Sequence, residues 1–431
     1  MGAGLSRREF GRAAGLAGVG ASGAVLLSGC SEDSVQARTA AAGKTWKVSG
    51  ERGAGLGGFD STMKSFMQAR NISCGQLAVA RKGKLLLARG YTWTSSSTLK
   101  TQPTSLFRIA SLSKAVTGAA ILRLAQEGKL NLGAPVTRLL SLTPPSGQTM
   151  DSRLKNVTVW RLLQHTGGWD RDLGFDPMYR RDSAVASALG VRIPVTKANI
   201  MKYMNGRRLD HTPGSDYAYS NYGYMLLGRI IEQVGGTGYR TYVQNKILGP
   251  RGITRMKLGR SLKMNAASGE VPYASQYNVS TVMDASGATV PAPYGGFNLE
   301  NMDSHGGWLS TAADMVRFAG LFDAANPVLG STSIGRAFGR PETGVDSSGA
   351  WYGCGWHVRN VTGGRNTWHT GGLPGTYTIL VRRHDGLTWA ALFNQRDDAS
   401  GKNYGDIDKL LHIAANGVTS WPTTDLYGKY F

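Results

Sequence analysis

The sequence predicts an α/β fold of the α+β kind. One antiparallel sheet is built from both chain ends, helices flank it, and a mostly helical lobe is inserted between its two halves. Two observations lead there. Short apolar runs with strand character lie early, at residues 77–80 and 85–88, and late, at 351–358, 376–382 and 388–394. Between them, from about 107 to 234, helical periodicity dominates. With 431 residues, 41% hydrophobic and 18% charged, the composition is globular, which excludes disorder as the overall state. No internal repeat and no second boundary interrupts residues 59–431, so they are expected to form one domain.

Taken in order, residues 1–29 read as a targeting segment. Ser6-Arg7-Arg8-Glu9-Phe10 has the pattern of a twin-arginine export signal, and a Gly/Ala-rich, weakly apolar stretch follows. That stretch is too short for a convincing membrane span. It ends in Leu27-Ser28-Gly29-Cys30, a lipobox pattern that marks Cys30 for lipidation. The expected product is exported by the twin-arginine route and is either a lipoprotein anchored on the outer face of a bacterial cytoplasmic membrane or a secreted protein. Residues 30–58 lack sustained periodicity and are expected to be a flexible tether. Within them Gly43-Lys44-Thr45 mimics the end of a phosphate-binding loop, but Arg38 stands where that loop needs glycine.

A helix is expected from Asp60 or Ser61 as N-cap, with Phe59, Met63, Phe66 and Met67 on one face. Runs 77–80 and 85–88 flank Arg81-Lys82-Gly83-Lys84 as a hairpin. Helices are expected at 111–126, ended by Gly128, and at 221–234, ended by Gly235-Gly236. Residues 259–306, rich in Gly, Ser and Asn, read as loop. The late strands follow, and a helix over about 404–415 closes the domain.

The net charge is +21, and loss of Arg7, Arg8, Arg12 and Glu9 with the signal leaves +19. Outside the cytoplasm no nucleic acid partner is expected, so this charge suits lipid headgroups or an anionic wall polymer, or simply serves solubility. Cys74 and Cys354 either pair in the oxidising compartment or stay as buried free thiols. No Cys/His spacing suggests a metal.

Three motifs carry chemistry. Ser111 and Lys114 lie three apart at a helix start and share a face. A serine hydroxyl needs a proton acceptor to become a nucleophile, and a buried neutral lysine can serve. Tyr219 and Asn221 lie two apart before an amphipathic helix, where a phenol can shuttle a proton and an amide can hold a carbonyl. His369-Thr370-Gly371-Gly372 leads into strand-like residues, where small side chains admit a substrate backbone. Of the two His-Thr-Gly triplets only this one precedes strands. His165 of the other is expected to be structural, while Trp169 and Trp308 are open to either cleft or core.

In this order the motifs resemble those of the serine β-lactamase and penicillin-recognising family, most closely class C β-lactamases, DD-peptidases and related esterases. The resemblance runs from about residue 59 to 415 and includes Leu162-Leu163-Gln164-His165-Thr166-Gly167-Gly168 and Gly307-Trp308-Leu309-Ser310-Thr311-Ala312. It implies Ser111 as the acylated nucleophile, Lys114 as its proton partner and Tyr219 as acid/base. Asn221, His369, Thr370 and Gly371 would bind substrate, and the backbone N–H groups of Ser111 and Gly372 would form the oxyanion hole. It implies no metal or cofactor. Many β-lactamases carry lysine at the position of His369. Histidine titrates near neutral pH, so no permanent cation for a β-lactam carboxylate is implied. There is no assignable deacylating glutamate and no Gly-x-Ser-x-Gly elbow.

The expected function is an exported serine hydrolase working through an acyl-enzyme on ester or amide carbonyls of a small-molecule or peptide-like substrate. Two alternatives stand beside it: an acyltransferase that passes the acyl group to an amine, and a penicillin-binding or wall-binding sensor that acylates without turnover. A monomer is the default expectation.

Overall fold

The computed structural model describes residues 43–173, 175–397 and 399–431. The expected signal peptide, Cys30 and most of the tether lie outside them.

Eight strands form one antiparallel sheet in the order β1-β3-β2-β13-β12-β11-β10-β9. The early strands are β1 (Thr45–Arg52), β2 (Cys74–Arg81) and β3 (Lys84–Thr94), and the late ones are β9 (Ala350–Tyr352), β10 (His357–Val361), β11 (Gly364–Leu373), β12 (Thr376–Arg382) and β13 (Leu387–Phe393). Both chain ends therefore build the sheet, and β2 joins β13 at its centre. Every residue of β13 and all but the last of β2 are buried. A strand covered on both faces reads as a continuous apolar run rather than an alternation. The β2–β3 turn places Lys82 and Gly83 both at positive φ, as a two-residue hairpin turn requires.

One face of the sheet is covered by α1 (Gly57–Ala69) and the closing helix α5 (Asp406–Asn416). Phe59, Met63, Phe66 and Met67 are the buried face of α1, as the sequence predicts. Its start is earlier than predicted: Asp60 is no N-cap but sits inside the first turn. There its carboxylate favours the helix dipole and binds Arg52, Arg89 and the Tyr91 hydroxyl. The tether also ends sooner than expected. Thr45–Arg52 pairs along its full length with β3, and Trp46 meets Trp93 with ring centroids 4.9 Å apart. An edge strand with little burial leaves almost no hydrophobic pattern in the sequence.

The other face carries the helical lobe, including α2 (Ser113–Gln126), α3 (Asn221–Gly235) and α4 (Ala312–Ala319). α2 is buried on nearly all sides, and Gly118 lets it approach the Cys354 carbonyl. Small strands β4 (Phe107–Arg108), β5 (Lys257–Leu258) and β8 (Trp308–Ser310) form a second sheet beneath the start of α2. The stretch 259–306 is not all loop: β6 (Asn278–Ser280) and β7 (Thr289–Pro291) make a short hairpin there. Cys74 and Cys354 are both buried and free. Among the described residues no helix is long and apolar enough to cross a membrane, and no cluster of His, Cys, Asp or Glu could hold a metal ion.

Candidate active site

Ser111 lies in a single 3-10 turn, Ala110–Leu112, directly before α2. Ala110 is held at φ +47°, a left-handed conformation that an alanine adopts only under constraint. The constraint comes from the sheet. Thr376 and Thr378 of β12 donate from their hydroxyls to the carbonyls of Arg108 and Ile109, at 2.8 and 2.9 Å. On β11, Gly371 packs against the same turn, and a Cβ there would overlap the Ile109 carbonyl and the Thr378 hydroxyl. Gly371→Ala is therefore expected to cost about 1–3 kcal/mol of stability. Displacing the turn should also lower ester turnover about 100-fold; paired thermal melts and kcat/KM measurements check both.

Lys114, in the first turn of α2, is fully buried. Its Nζ is 3.2 Å from Ser111 Oγ, 2.8 Å from Asn221 Oδ1 and 2.9 Å from the His305 carbonyl oxygen. Burial pushes its pKa well below 10.5, the nearby Arg171 cation lowers it further, and Asp176 partly opposes both. A neutral amine has two N–H bonds and one lone pair. In the neutral form, Asn221 Oδ1 and the His305 carbonyl accept its two N–H bonds, and the lone pair is left for the Ser111 hydroxyl. That is the arrangement of a base beside its nucleophile.

Asn221 is free for this contact because its neighbour does the capping: Ser220 Oγ accepts the Gly223 N–H at the start of α3. The Asn221 amide nitrogen donates to Asp176 at 2.6 Å, which fixes its oxygen towards Lys114. Tyr219 hydrogen-bonds Ser111, and burial raises its phenol to about 12, so it is protonated at neutral pH. Lys114 Nζ lies 4.7 Å and the Arg171 guanidinium 4.3 Å from its ring centroid, the latter a cation over an aromatic face.

His165 occupies a left-handed position, φ +58°. Its Nδ1 accepts the Ser220 N–H at 3.1 Å, and its ring lies 4.2 Å from that of Tyr219. Burial, then Lys114, holds its pKa well below 6.5, so a neutral ring acts as a scaffold under the tyrosine.

His369 is also buried in β11. Its Nδ1 lies 2.6 Å from the Thr370 carbonyl, an acceptor only, so the proton is on Nδ1 and Nε2 accepts from the Tyr352 hydroxyl at 2.9 Å. Desolvation, then His357 and Lys114, pushes its pKa well below 6.5. The expectation of a histidine titrating near neutral pH is thus corrected: burial and its two hydrogen bonds keep His369 neutral. Thr370, Gly371 and Gly372 pair with β12 on one side, while the β10 pairing stops at Trp368. The final residues of β11 therefore present an edge without a strand partner beside Ser111. Gly372 carries the Arg396 side chain on its other face.

The sequence missed several of these residues. Asp176, Arg171, the His305 carbonyl and Tyr352 come from loops or a remote strand, and no spacing links them to Ser111. Of the two tryptophans, Trp308 is core, donating to Tyr239 at 3.0 Å, whereas Trp169 lines a pocket beside Asn221.

Several known proteins are similar to this chain in sequence or in fold. Protein flp of Staphylococcus aureus (strain COL) is 32% identical over 196 residues, which cover 45% of this chain and 36% of that protein. A probable fimbrial assembly protein FimD, serogroup H1, of Dichelobacter nodosus is 32% identical over 141 residues, covering 33% and 32%. The matches span about a third of the length of these relatives. In fold, the chain is similar to an octameric penicillin-binding protein homologue from Pyrococcus abyssi, with TM-score 0.62 and 22% identity over 85% of this chain and 79% of that one. It is similar too to a D-stereospecific amidohydrolase from Streptomyces sp., with TM-score 0.62 and 20% identity over 82% and 98%. A D-amino acid amidase from Ochrobactrum anthropi SV3 gives 0.62 and 19% over 84% and 99%. The family model described as Beta-lactamase matches residues 59–412, and the chain belongs to that family.

Proposed function

We propose that this protein is an exported, lipid-anchored serine hydrolase that works through an acyl-enzyme on ester or amide carbonyls. The observation that carries the reading is the environment of Lys114: a buried amine, its pKa pushed well down by burial, with Ser111 Oγ, Asn221 Oδ1 and the His305 carbonyl oxygen all within 3.2 Å of Nζ.

In this reading Ser111 Oγ attacks the substrate carbonyl while its proton passes to Lys114. The backbone N–H groups of Ser111 and Gly372 stabilise the oxyanion. The protonated Tyr219 gives its proton to the leaving group and is restored from Lys114, and the C–N or C–O bond breaks. Water then attacks the acyl carbonyl while its proton passes to the same pair, the bond from the acyl carbon to Ser111 Oγ breaks, and the pair returns the proton to Oγ as the acid leaves. Asn221 and the open edge of β11 at Thr370 and Gly371 hold the substrate backbone. No group outside the chain is needed for these steps.

Carboxylester or D-amino-acid amide hydrolysis fits better than efficient β-lactam hydrolysis, because His369 supplies no cation to the third motif. Of the proteins similar in fold, one is named an amidohydrolase and one an amidase, which supports the amide branch. The test is product analysis with p-nitrophenyl acetate and D-phenylalanine amide, with and without a primary amine acceptor. Steady release of free acid is expected for both substrates. A product that shifts to the amide as acceptor is added would identify acyl transfer instead. A burst of one equivalent with no steady state would identify a sensor.

A further inference from the structure

The buried bases around Ser111 are neutral. Burial first, then neighbouring cations, holds Lys114, His165 and His305 well below their ordinary pKa values, and His369 follows the same rule. Tyr219 is protonated until it gives its proton to the leaving group, and it then becomes a phenolate inside a dry wall. Charge that develops in such a place needs a fixed partner of opposite sign.

The loop after Trp169 supplies one. Arg171 opens the single turn Arg171–Leu173, and its guanidinium lies 4.3 Å from the centroid of the Tyr219 ring. Lys114 Nζ is 4.7 Å from the same centroid, so one aromatic ring carries both groups. The backbone at Arg171 is clamped. The Asp170 N–H donates to Asp210 at 2.9 Å, the Asp170 carboxylate accepts the Asp172 N–H at 2.8 Å, and its second oxygen lies 3.2 Å from His211 Nε2. Asp210 and His211 are pinned in turn by two N–H bonds to the Gly168 carbonyl, at 2.9 and 3.0 Å. At the other end of the loop Asp176 is fixed by the Asn221 amide.

Arg171 also pairs through Nε with Asp172 at 3.4 Å, but that carboxylate is 59% exposed and water screens it. The carboxylate that reaches the site from the same loop is Asp176. It opposes Arg171 at both Lys114 and Tyr219, and at both the arginine has the larger effect. The loop therefore brings net positive charge to the acid and the base.

We propose that Arg171 is a positioning residue for the acyl chemistry: seated over Tyr219, its charge favours the phenolate formed as the leaving group takes the proton and disfavours a proton on the adjacent Lys114. This rests on the acyl-serine reading above. It assigns to a loop arginine the positive charge that His369 does not bring to the third motif. The proton count is unchanged, because the Ser111 proton reaches Lys114, the Tyr219 proton reaches the leaving group, and Lys114 restores Tyr219.

The sign of the pH effect follows. Acylation needs Lys114 without its proton, so the acid limb of kcat/KM reports that ionisation in the free enzyme. Removing the Arg171 cation makes Lys114 easier to protonate, and the limb moves to higher pH. His165 and His369 also feel Arg171 and would shift in the same direction. Asp176, His305 and Tyr224 face Lys114 as well and are unchanged by the substitution.

The test is the pH profile of kcat and kcat/KM for p-nitrophenyl acetate, using the full chain as wild type, Arg171→Gln, Arg171→Lys and Arg207→Gln. In Arg171→Gln the acid limb is expected about 0.5 pH unit or more higher, and the plateau kcat about fivefold lower or more. Lysine keeps the charge without the planar fork, so Arg171→Lys is expected to recover at least about half of both effects. Arg207 lies over Phe175, 4.6 Å from its ring centroid, in the wall that Arg171 shares. Its loss removes the same charge farther from Tyr219, and the limb is expected within about 0.2 unit of wild type. Limb position does not depend on how much enzyme is folded, so a purely structural loss would lower the plateau and leave the limb in place. An Arg171→Gln limb coincident with wild type, an equal movement in Arg207→Gln, or an unchanged plateau kcat would overturn the assignment while leaving the acyl-serine reading in place. Turnover surviving in Ser111→Ala would instead overturn the acyl-serine reading.

Discussion

Ser111→Ala is expected to lower kcat/KM for p-nitrophenyl acetate by about 1000-fold or more, and to abolish covalent labelling by a fluorescent penicillin. The magnitude follows from losing the covalent route itself, since the remaining oxyanion donors and binding surface accelerate only attack by water. The fold should survive. Ser111 sits on a turn fixed by Thr376, Thr378 and Gly371 through its neighbours' backbone, so removing one hydroxyl leaves those ties intact. Melting within about 2 °C of wild type beside lost activity would separate chemistry from folding. Turnover like wild type would mean that another group performs the attack.

Lys114→Met should cost a comparable factor in turnover, and it makes a second, separable prediction about stability. In the unfolded chain the amine titrates near its ordinary 10.5, while in the folded protein burial holds it well below that. Between those two values the unfolded chain binds more protons than the folded one, so wild-type stability rises with pH across that window. Acidifying through the window removes that contribution, because the buried amine must stay neutral at growing cost until it protonates in the fold. Methionine has no such proton, so the variant's stability should rise less steeply between neutral pH and about pH 10. Loss of the amine also leaves Asn221 Oδ1 and the His305 carbonyl without their donor, at about 1–3 kcal/mol each. This offset lowers the whole curve without changing its slope. Denaturant midpoints at several pH values read the slope directly, and parallel curves for the two proteins would show that Lys114 is charged in the fold.

What the sequence made legible was chemistry that sits close together along the chain. Ser111 and Lys114 share one turn, Tyr219 and Asn221 bracket one cap, and the central strands β12 and β13 are apolar runs that both faces of the sheet require. What stayed hidden was whatever depends on the backbone or on remote packing. The His305 carbonyl that holds Lys114 lies 191 residues away from it, and a carbonyl leaves no mark in the residue type. Asp176 and Arg171 lie in a loop without periodicity, so nothing local connects them to Asn221 or Tyr219. His369 illustrates a different limit. Its residue type suggested a neutral-pH switch, but Tyr352, on the edge strand β9, takes up its lone pair and burial does the rest. β1 reads as tether because its burial is shallow and its partners lie three to four dozen residues on.

The account's central claim is that Ser111 Oγ forms the covalent acyl intermediate with Lys114 as its base. It is tested most directly by intact-mass spectrometry of the full chain, quenched in acid during turnover of a slowly deacylating p-nitrophenyl ester. A mass increment equal to the acyl group less one hydrogen, mapped to the peptide that contains Ser111 and absent from Ser111→Ala, is the predicted result. An increment on another residue, or steady turnover with no adduct at any quench time, would contradict it.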